Sequence, residues 1–293
     1  MSILSIEIAK YLNKKLQGEN ITINNVCSIN KPSPNSLSFI KKRELLDKYK
    51  GEIPNDILII IPRIENVNNL NFSYIMSENP RLDFAKAVSH FFAPITSAQI
   101  SSSAQISATA IIGENVSIGP FSIIGEHVKI GDNTVIKNNV YVHNKTTVGQ
   151  SCVIKSFSVI GEEGFGFDFE PDGTPFRLPH LGSVIIEDNV EVGNFCTICR
   201  GTIDPTVIRK GTKIDDHCHI AHNVQIGENV IITACAEVSG SVQIDNQSWI
   251  GPNASILNGV KIETKALVGI GAVVIRDIET NKHVLGNPAR KTN

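Results

Sequence analysis

From Ile106 onward an Ile or Val stands at every sixth position, with polar residues and glycines between. The first run is Ile106, Ile112, Ile118, Ile124, Ile130, Ile136, Val142, Val148, Ile154 and Ile160. The beat resumes at Val184 and Val190 and crosses Cys196 and Thr202. It then runs through Ile208, Ile214, Ile220, Ile226, Ile232, Val238, Ile244, Ile250, Ile256, Ile262, Val268 and Val274. A helix face repeats near 3.6 residues and a half-buried strand at 2, so neither produces it. The pattern predicts a parallel β-helix of hexapeptide repeats, three short strands to each triangular coil, with the beat residue pointing inward.

The position four past each beat is small or β-branched, as in Ala110, Val116, Ser122, Val128, Thr134, Val140, Thr146, Cys152 and Ser158. A crowded prism interior requires this. Glycine often follows the beat, as at Gly113, Gly119, Gly125, Gly131, Gly149, Gly227, Gly251 and Gly269, and is expected there for its backbone freedom at corners. Burying each beat side chain is worth roughly 1.5–3 kcal/mol before ordering entropy, which makes the repeat the scaffold. Three prisms packed side by side would cover its flat outer faces, so a homotrimer is expected.

Residues 1–100 lack the beat and read as a separate α/β domain; residues 101–293 form the β-helix domain, with a loop insertion at 161–183 and a short C-terminal tail. In the first, Ile3, Leu4, Ile8, Leu12 and Leu16 lie near helical spacing up to Gly18, and Ile21, Ile23 and Val26 alternate like a strand. Pro32, Pro34 and Asn35 mark a turn before a strand at Leu37–Ile40. A helix over Lys41–Tyr49, a buried strand at Ile57–Ile61 and an amphipathic helix at Arg81–Phe92 complete it.

Composition excludes several classes. A net charge of −2 gives no basic excess for nucleic acid. No apolar run reaches the roughly 18 residues of a membrane span. The start carries Glu7 and too short an apolar run for a signal peptide, so a cytoplasmic protein is expected. Cys196 and Cys199 form a CxxC, but Cys152, Cys196 and Cys218 fall on inward registers, where cysteine acts as a small hydrophobe.

Two stretches carry candidate chemistry. Gly161–Ser183 holds Phe165, Phe167, Phe169 and Phe176, four of the chain's 12 Phe residues. This loop either covers a site or packs on a neighbouring subunit, and a bridging loop does both. The segment from Asp215 to Asn223 holds His217, His219 and His222. His217 and His219 are expected to share a strand face and His222 to lie near a corner, which is no convergent metal site. His222 and Gly240 are 18 residues apart, one full coil, so an imidazole stacks under a main-chain N–H with no side chain before it. That is a base beside an oxyanion donor.

Val159–Phe167 (VIGEEGFGF), Leu178–Gly182 (LPHLG), Arg200, Gly201 and Lys213–Gly227 (KIDDHCHIAHNVQIG) resemble the UDP-3-O-acylglucosamine N-acyltransferase family of lipid A synthesis. The likeness extends to Leu37–Ile40 (LSFI) and Asn79–Lys86 (NPRLDFAK) and covers most of the chain. It implies a left-handed hexapeptide β-helix, trimers with sites between subunits, His222 as catalytic base and Gly240 as oxyanion amide. It also implies a nucleotide base stacked on Phe39, with Phe165, Phe167, His180 and Asn223 lining the acceptor site. Lys42 and Leu45 stand where the family carries an Asn and a Tyr, and Val260 where it has a second His. That family continues into C-terminal helices that engage acyl carrier protein, whereas this sequence ends at Asn293.

The last coils, Trp249–Gly259 (WIGPNASILNG), Val268–Val274 (VGIGAVV) and Gly286–Arg290 (GNPAR), resemble acetyl-CoA-dependent nucleotide-sugar acetyltransferases. That likeness implies donor contacts at Ile270, Gly271, Arg290 and Lys291. Together the residues point to an N-acyltransferase moving an acyl group from acyl-CoA or acyl carrier protein to the amine of a nucleotide-linked amino sugar. No tightly bound cofactor and no metal are expected. The lipid A N-acyltransferase itself, a sugar O-acetyltransferase and a non-catalytic β-helix scaffold are the alternatives.

Overall fold

A computed structural model describes residues 2–49, 51, 53–64, 70–94 and 98–291. The chain divides into two compact units, Met1–Thr96 and Ser97–Asn293.

The first unit is built on a five-stranded sheet, ordered Leu16–Gln17, Ser73–Ser77, Leu58–Pro62, Ser36–Phe39 and Asn25–Val26. The run Leu58–Ile61 is apolar throughout because both of its faces are covered. Leu58 and Ile60 pack with Ile8, Leu37, Ile75 and Ala87, while Ile59 and Ile61 pack with Ile40, Leu46 and Phe72. The helix Pro80–Phe91 starts at Asn79, whose side chain accepts the Leu82 N–H, with proline in its first turn. The helix expected from Ile3 to Leu16 is shorter, Ser5–Tyr11. Ile3–Leu4 pairs as a strand with Thr22–Ile23, and Leu16–Gln17 pairs with the central sheet. The apolar periodicity there spans three elements of one core rather than one helix.

The second unit is a parallel β-helix with three sheets of mostly two-residue strands. Beat residues stack in register, as in Ile208, Ile226, Ile244 and Ile262. The interior hydroxyls join successive coils. Thr212 Oγ1 donates to the Gly227 carbonyl at 2.8 Å and accepts the Val230 N–H at 3.1 Å.

Three expectations are corrected. The second run of the beat is two residues out of phase, since Val148, Ile154 and Ile160 pair with Ile186, Val192 and Ile198. Val184, Val190 and Cys196 are buried on the other inward register, and a longer corner before Thr206–Ile208 restores the phase. Glycines after the beat do not supply the left-handed corners. Those are held by Asn115, Phe121, His127, Asn133, Asn139 and their equivalents, at φ near +55 to +60°. Glycine is needed instead for close approach, because a Cβ on Gly227 would lie 2.7 Å from the Asn246 nitrogen. His217 does not share the face of His219, because its backbone is left-handed (φ 61°) at the preceding corner, where it stacks on Phe195.

Candidate active site

The strands His219–Ile220 and Glu237–Val238 pair in register, which carries His222 and Gly240 to the same corner one coil apart. The Ser241 N–H donates to the His222 carbonyl at 2.9 Å, fixing that stacking. A Cβ on Gly240 would lie 2.7 Å from Cε1 and 2.9 Å from Nε2 of His222. Only glycine leaves the imidazole edge against the main chain. The Gly240 N–H makes no hydrogen bond among the described residues.

Asn223 sets the tautomer. Its Oδ1 accepts from the Thr202 N–H at 3.2 Å and from Thr202 Oγ1 at 3.1 Å, so this atom is the amide oxygen. His222 Nδ1, 3.0 Å from the same oxygen, therefore carries the hydrogen. Nε2 is left with the lone pair, the form a general base needs. Asn223 sits at φ 61°, a conformation asparagine tolerates, and its own N–H donates to Thr206 Oγ1 at 2.9 Å. Asn223, expected as an acceptor-binding residue, turns its Oδ1 to His222 and Thr202.

The inserted loop closes on this corner. His180 is 1% exposed, and its ring edge meets the His222 ring at 5.0 Å and 69°. Its Nδ1 lies 3.0 Å from the Leu178 carbonyl, which only accepts, so the lone pair is on a buried Nε2 that has no partner among the described residues. Burial, with the nearby His222 second, holds His180 below the ordinary imidazole range. A Cβ on Gly164 would meet His180 Nε2 at 2.8 Å and His222 Cδ2 at 2.9 Å, and one on Gly166 would meet His180 Cε1 at 2.9 Å. The GFG backbone therefore lies directly on both imidazoles.

Lower on the loop, Glu162 Oε2 is 3.1 Å from His143 Nε2, out of line for a hydrogen bond, and His143 stacks on Tyr141. Burial lowers His143, against the pull of Glu162. Cys199, buried beside Glu162, is pushed up to about 11, which leaves it a protonated and unreactive thiol at neutral pH.

Of the other expected residues, Phe39 lies in the first unit and the rest in the second. Phe39 leans on Phe84 at 4.7 Å and lines a cavity of about 650 Å³ in the first unit, with Cys27, Asn30, Lys41 and Leu45. Phe165 is 86% exposed and tilts on Phe167 at 4.8 Å. Ile270 is exposed beside Gly271, whose φ of 63° marks a corner. Arg290 and Lys291 form a last antiparallel pair with Leu285 and Val284, and Lys291 Nζ is held by Glu279 at 2.8 Å. Val260 is buried in the prism interior, away from the corner.

Sequence reasoning missed Thr202, Thr206, Gly164, Gly166 and Asn258. The last follows Gly240 by one coil, and its Oδ1 would lie 3.1 Å from a Gly240 Cβ, so the spacing that found Gly240 also leads to it.

Residues 109–144, 127–162 and 205–240 match the bacterial transferase hexapeptide family (six repeats). The chain is 36% identical over 255 residues to the UDP-3-O-acylglucosamine N-acyltransferase of Coxiella burnetii (strain RSA 493 / Nine Mile phase I), covering 80% of this chain and 74% of that protein. It is 41% identical over 246 residues to the enzyme of the same name from Campylobacter lari, covering 80% and 77%. Among solved structures it resembles the UDP-N-acetylglucosamine acyltransferase of Campylobacter jejuni (TM-score 0.60, 25% identity, 66% of this chain and 74% of that one). The Francisella novicida UDP-N-acetylglucosamine acyltransferase scores alike (TM-score 0.60, 25% identity, 66% and 69%).

Proposed function

The chain belongs to the UDP-3-O-acylglucosamine N-acyltransferase family, and from that membership we propose that His222 is the base of an acyl transfer to a sugar amine. The acceptor is a UDP-linked 3-O-acylglucosamine, as the relatives' names state for them, and we assign a pantetheine thioester as the donor. The likeness of the final coils to acetyl-CoA-dependent enzymes carries less weight than identity along 80% of the chain.

The observation that carries the reading is the lone pair on His222 Nε2 facing the main chain of Gly240. The acceptor amine enters as the free base. As its nitrogen attacks the thioester carbon, the carbonyl electron pair moves onto oxygen, where the Gly240 N–H donates to it. His222 Nε2 takes the proton that the new C–N bond makes acidic. Collapse breaks the C–S bond, and the imidazolium returns that proton to the departing thiolate. Asn223, through its oxygen, steadies the imidazolium at Nδ1.

The nucleotide base is assigned to the cavity beside Phe39, and the assembly to a homotrimer in which a second copy completes the cleft. Exposed Phe165 and Leu181 support the latter, since they crown the loop beside His222. No helix among the described residues is long and apolar enough to cross a membrane.

The test is incubation of the purified protein with UDP-3-O-acylglucosamine and an acyl group on carrier protein or on coenzyme A, read by mass spectrometry. An amide-linked acyl group with loss of the free amine is expected. A product that keeps its amine would make the protein an O-acyltransferase, and no product with either donor would refute the assignment.

A further inference from the structure

The inserted loop leaves the prism at an irregularity. The pairing of Val159–Glu162 with Thr197–Cys199 shifts register between Ile160 and Glu162, and Gly161 there takes φ +87°. A bulge of this kind re-aims the chain that follows it. Three residues on, the Gly164 backbone lies against the Cδ2 edge of His222 and the Nε2 of His180. Any slack at the bulge is therefore passed to the imidazole.

Arg200 spans that bulge. Its main-chain N–H donates to the Glu162 carbonyl at 2.9 Å, and its side-chain Nε donates to the Gly161 carbonyl at 2.6 Å. The segment is held from its far side by Arg177, whose Nη2 reaches Glu163 Oε2 at 2.9 Å and the Gly164 carbonyl at 3.4 Å. Arg177 belongs to the loop's own hairpin, with Phe167–Phe169 paired to Pro175–Arg177, and moves with it. Arg200 belongs to the coil and does not. It thus anchors the loop's entry to the scaffold holding His222, while the exit is tied by main chain, the Leu181 N–H donating to the Thr202 carbonyl at 2.8 Å.

We propose that Arg200 is a positioning residue, seating the Gly161–Gly166 segment against His222 so that the imidazole keeps its edge toward Gly240. This rests on the reading of His222 as the base. An arginine is required because Nε lies in a rigid plane and donates along a fixed direction, whereas a lysine ammonium is a mobile point charge. Misplacing a reacting group by about 1 Å costs on the order of 10²-fold in rate, which sets the scale of the effect.

The test compares Arg200→Ala, Arg200→Lys, Arg209→Ala and His222→Ala in the full chain, reading kcat, donor KM and hydrogen exchange of peptides covering 161–169. Arg200→Ala should lower kcat about 10- to 100-fold with donor KM unchanged and exchange in the loop accelerated. Added guanidinium should recover part of the rate, and Arg200→Lys should recover little. Arg209, whose guanidinium pairs with Glu187, should leave every readout unchanged. A wild-type kcat in Arg200→Ala, or a lost kcat with loop exchange unaltered, would overturn the seating role. His222→Ala with full turnover would instead remove the base, while the exchange data would still judge the anchor.

Discussion

Asn223 Oδ1 stands 3.0 Å from His222 Nδ1 and also receives the Thr202 N–H at 3.2 Å, so the hydrogen between the two side chains belongs to the imidazole. A neutral amide does this without placing a negative charge beside the base. Asn223→Ala removes the acceptor that selects the tautomer, and kcat should fall about 10²-fold. Thr202→Val keeps its N–H and should lose less. Steady-state rates for the two variants decide the order.

Gly240→Ala tests the close approach. The new methyl would need the space of His222 Cε1, 2.7 Å away, and of Nε2 at 2.9 Å. The ring must turn away from the corner, because the main chain is held by the Ser241 N–H to the His222 carbonyl. A loss of about 10²-fold in kcat with an unchanged circular dichroism spectrum is expected.

Acid should weaken the fold. Burial is the first cause that depresses both His180 and His143 below the ordinary value of about 6.5. Between that value and the depressed ones the unfolded chain binds more protons, so stability is full above about pH 6.5 and falls as pH drops below it. Urea midpoints at neutral and mildly acidic pH should show this slope, and His180→Gln combined with His143→Gln should flatten it.

The interior hydroxyls give a stability test separate from chemistry. Thr212→Val preserves shape but strands the buried Val230 N–H and the Gly227 carbonyl that Thr212 Oγ1 now serves. A loss of about 1–3 kcal/mol in chemical denaturation is expected, with kcat unaltered.

The β-helix is legible in sequence because each beat side chain needs only its own small interior slot, repeated coil after coil. That made the stacking of His222 under Gly240 a matter of spacing. Phase was lost where the repeat is interrupted, at Val184 and Val190, since an inserted loop and a long corner alter the count without changing the residue types. The role of Asn223 was hidden for a different reason. Its partners Thr202 and Thr206 lie in that irregular corner, where no period says which side chain points at which. The GFG contact with both histidines was equally out of reach, because the path of a 161–183 excursion is set by irregular hydrogen bonds, those of Arg200, Arg177 and Leu181 among them, and leaves no periodic trace.

The most direct measurement is the turnover of His222→Ala with UDP-3-O-acylglucosamine and a pantetheine-bound acyl donor, made beside a melting curve and a light-scattering mass. A fall of about 10² to 10⁴ in kcat, with the mass and melting point of the parent protein, is expected of a lost general base. Turnover near that of the parent, in a protein equally folded and assembled, would contradict it.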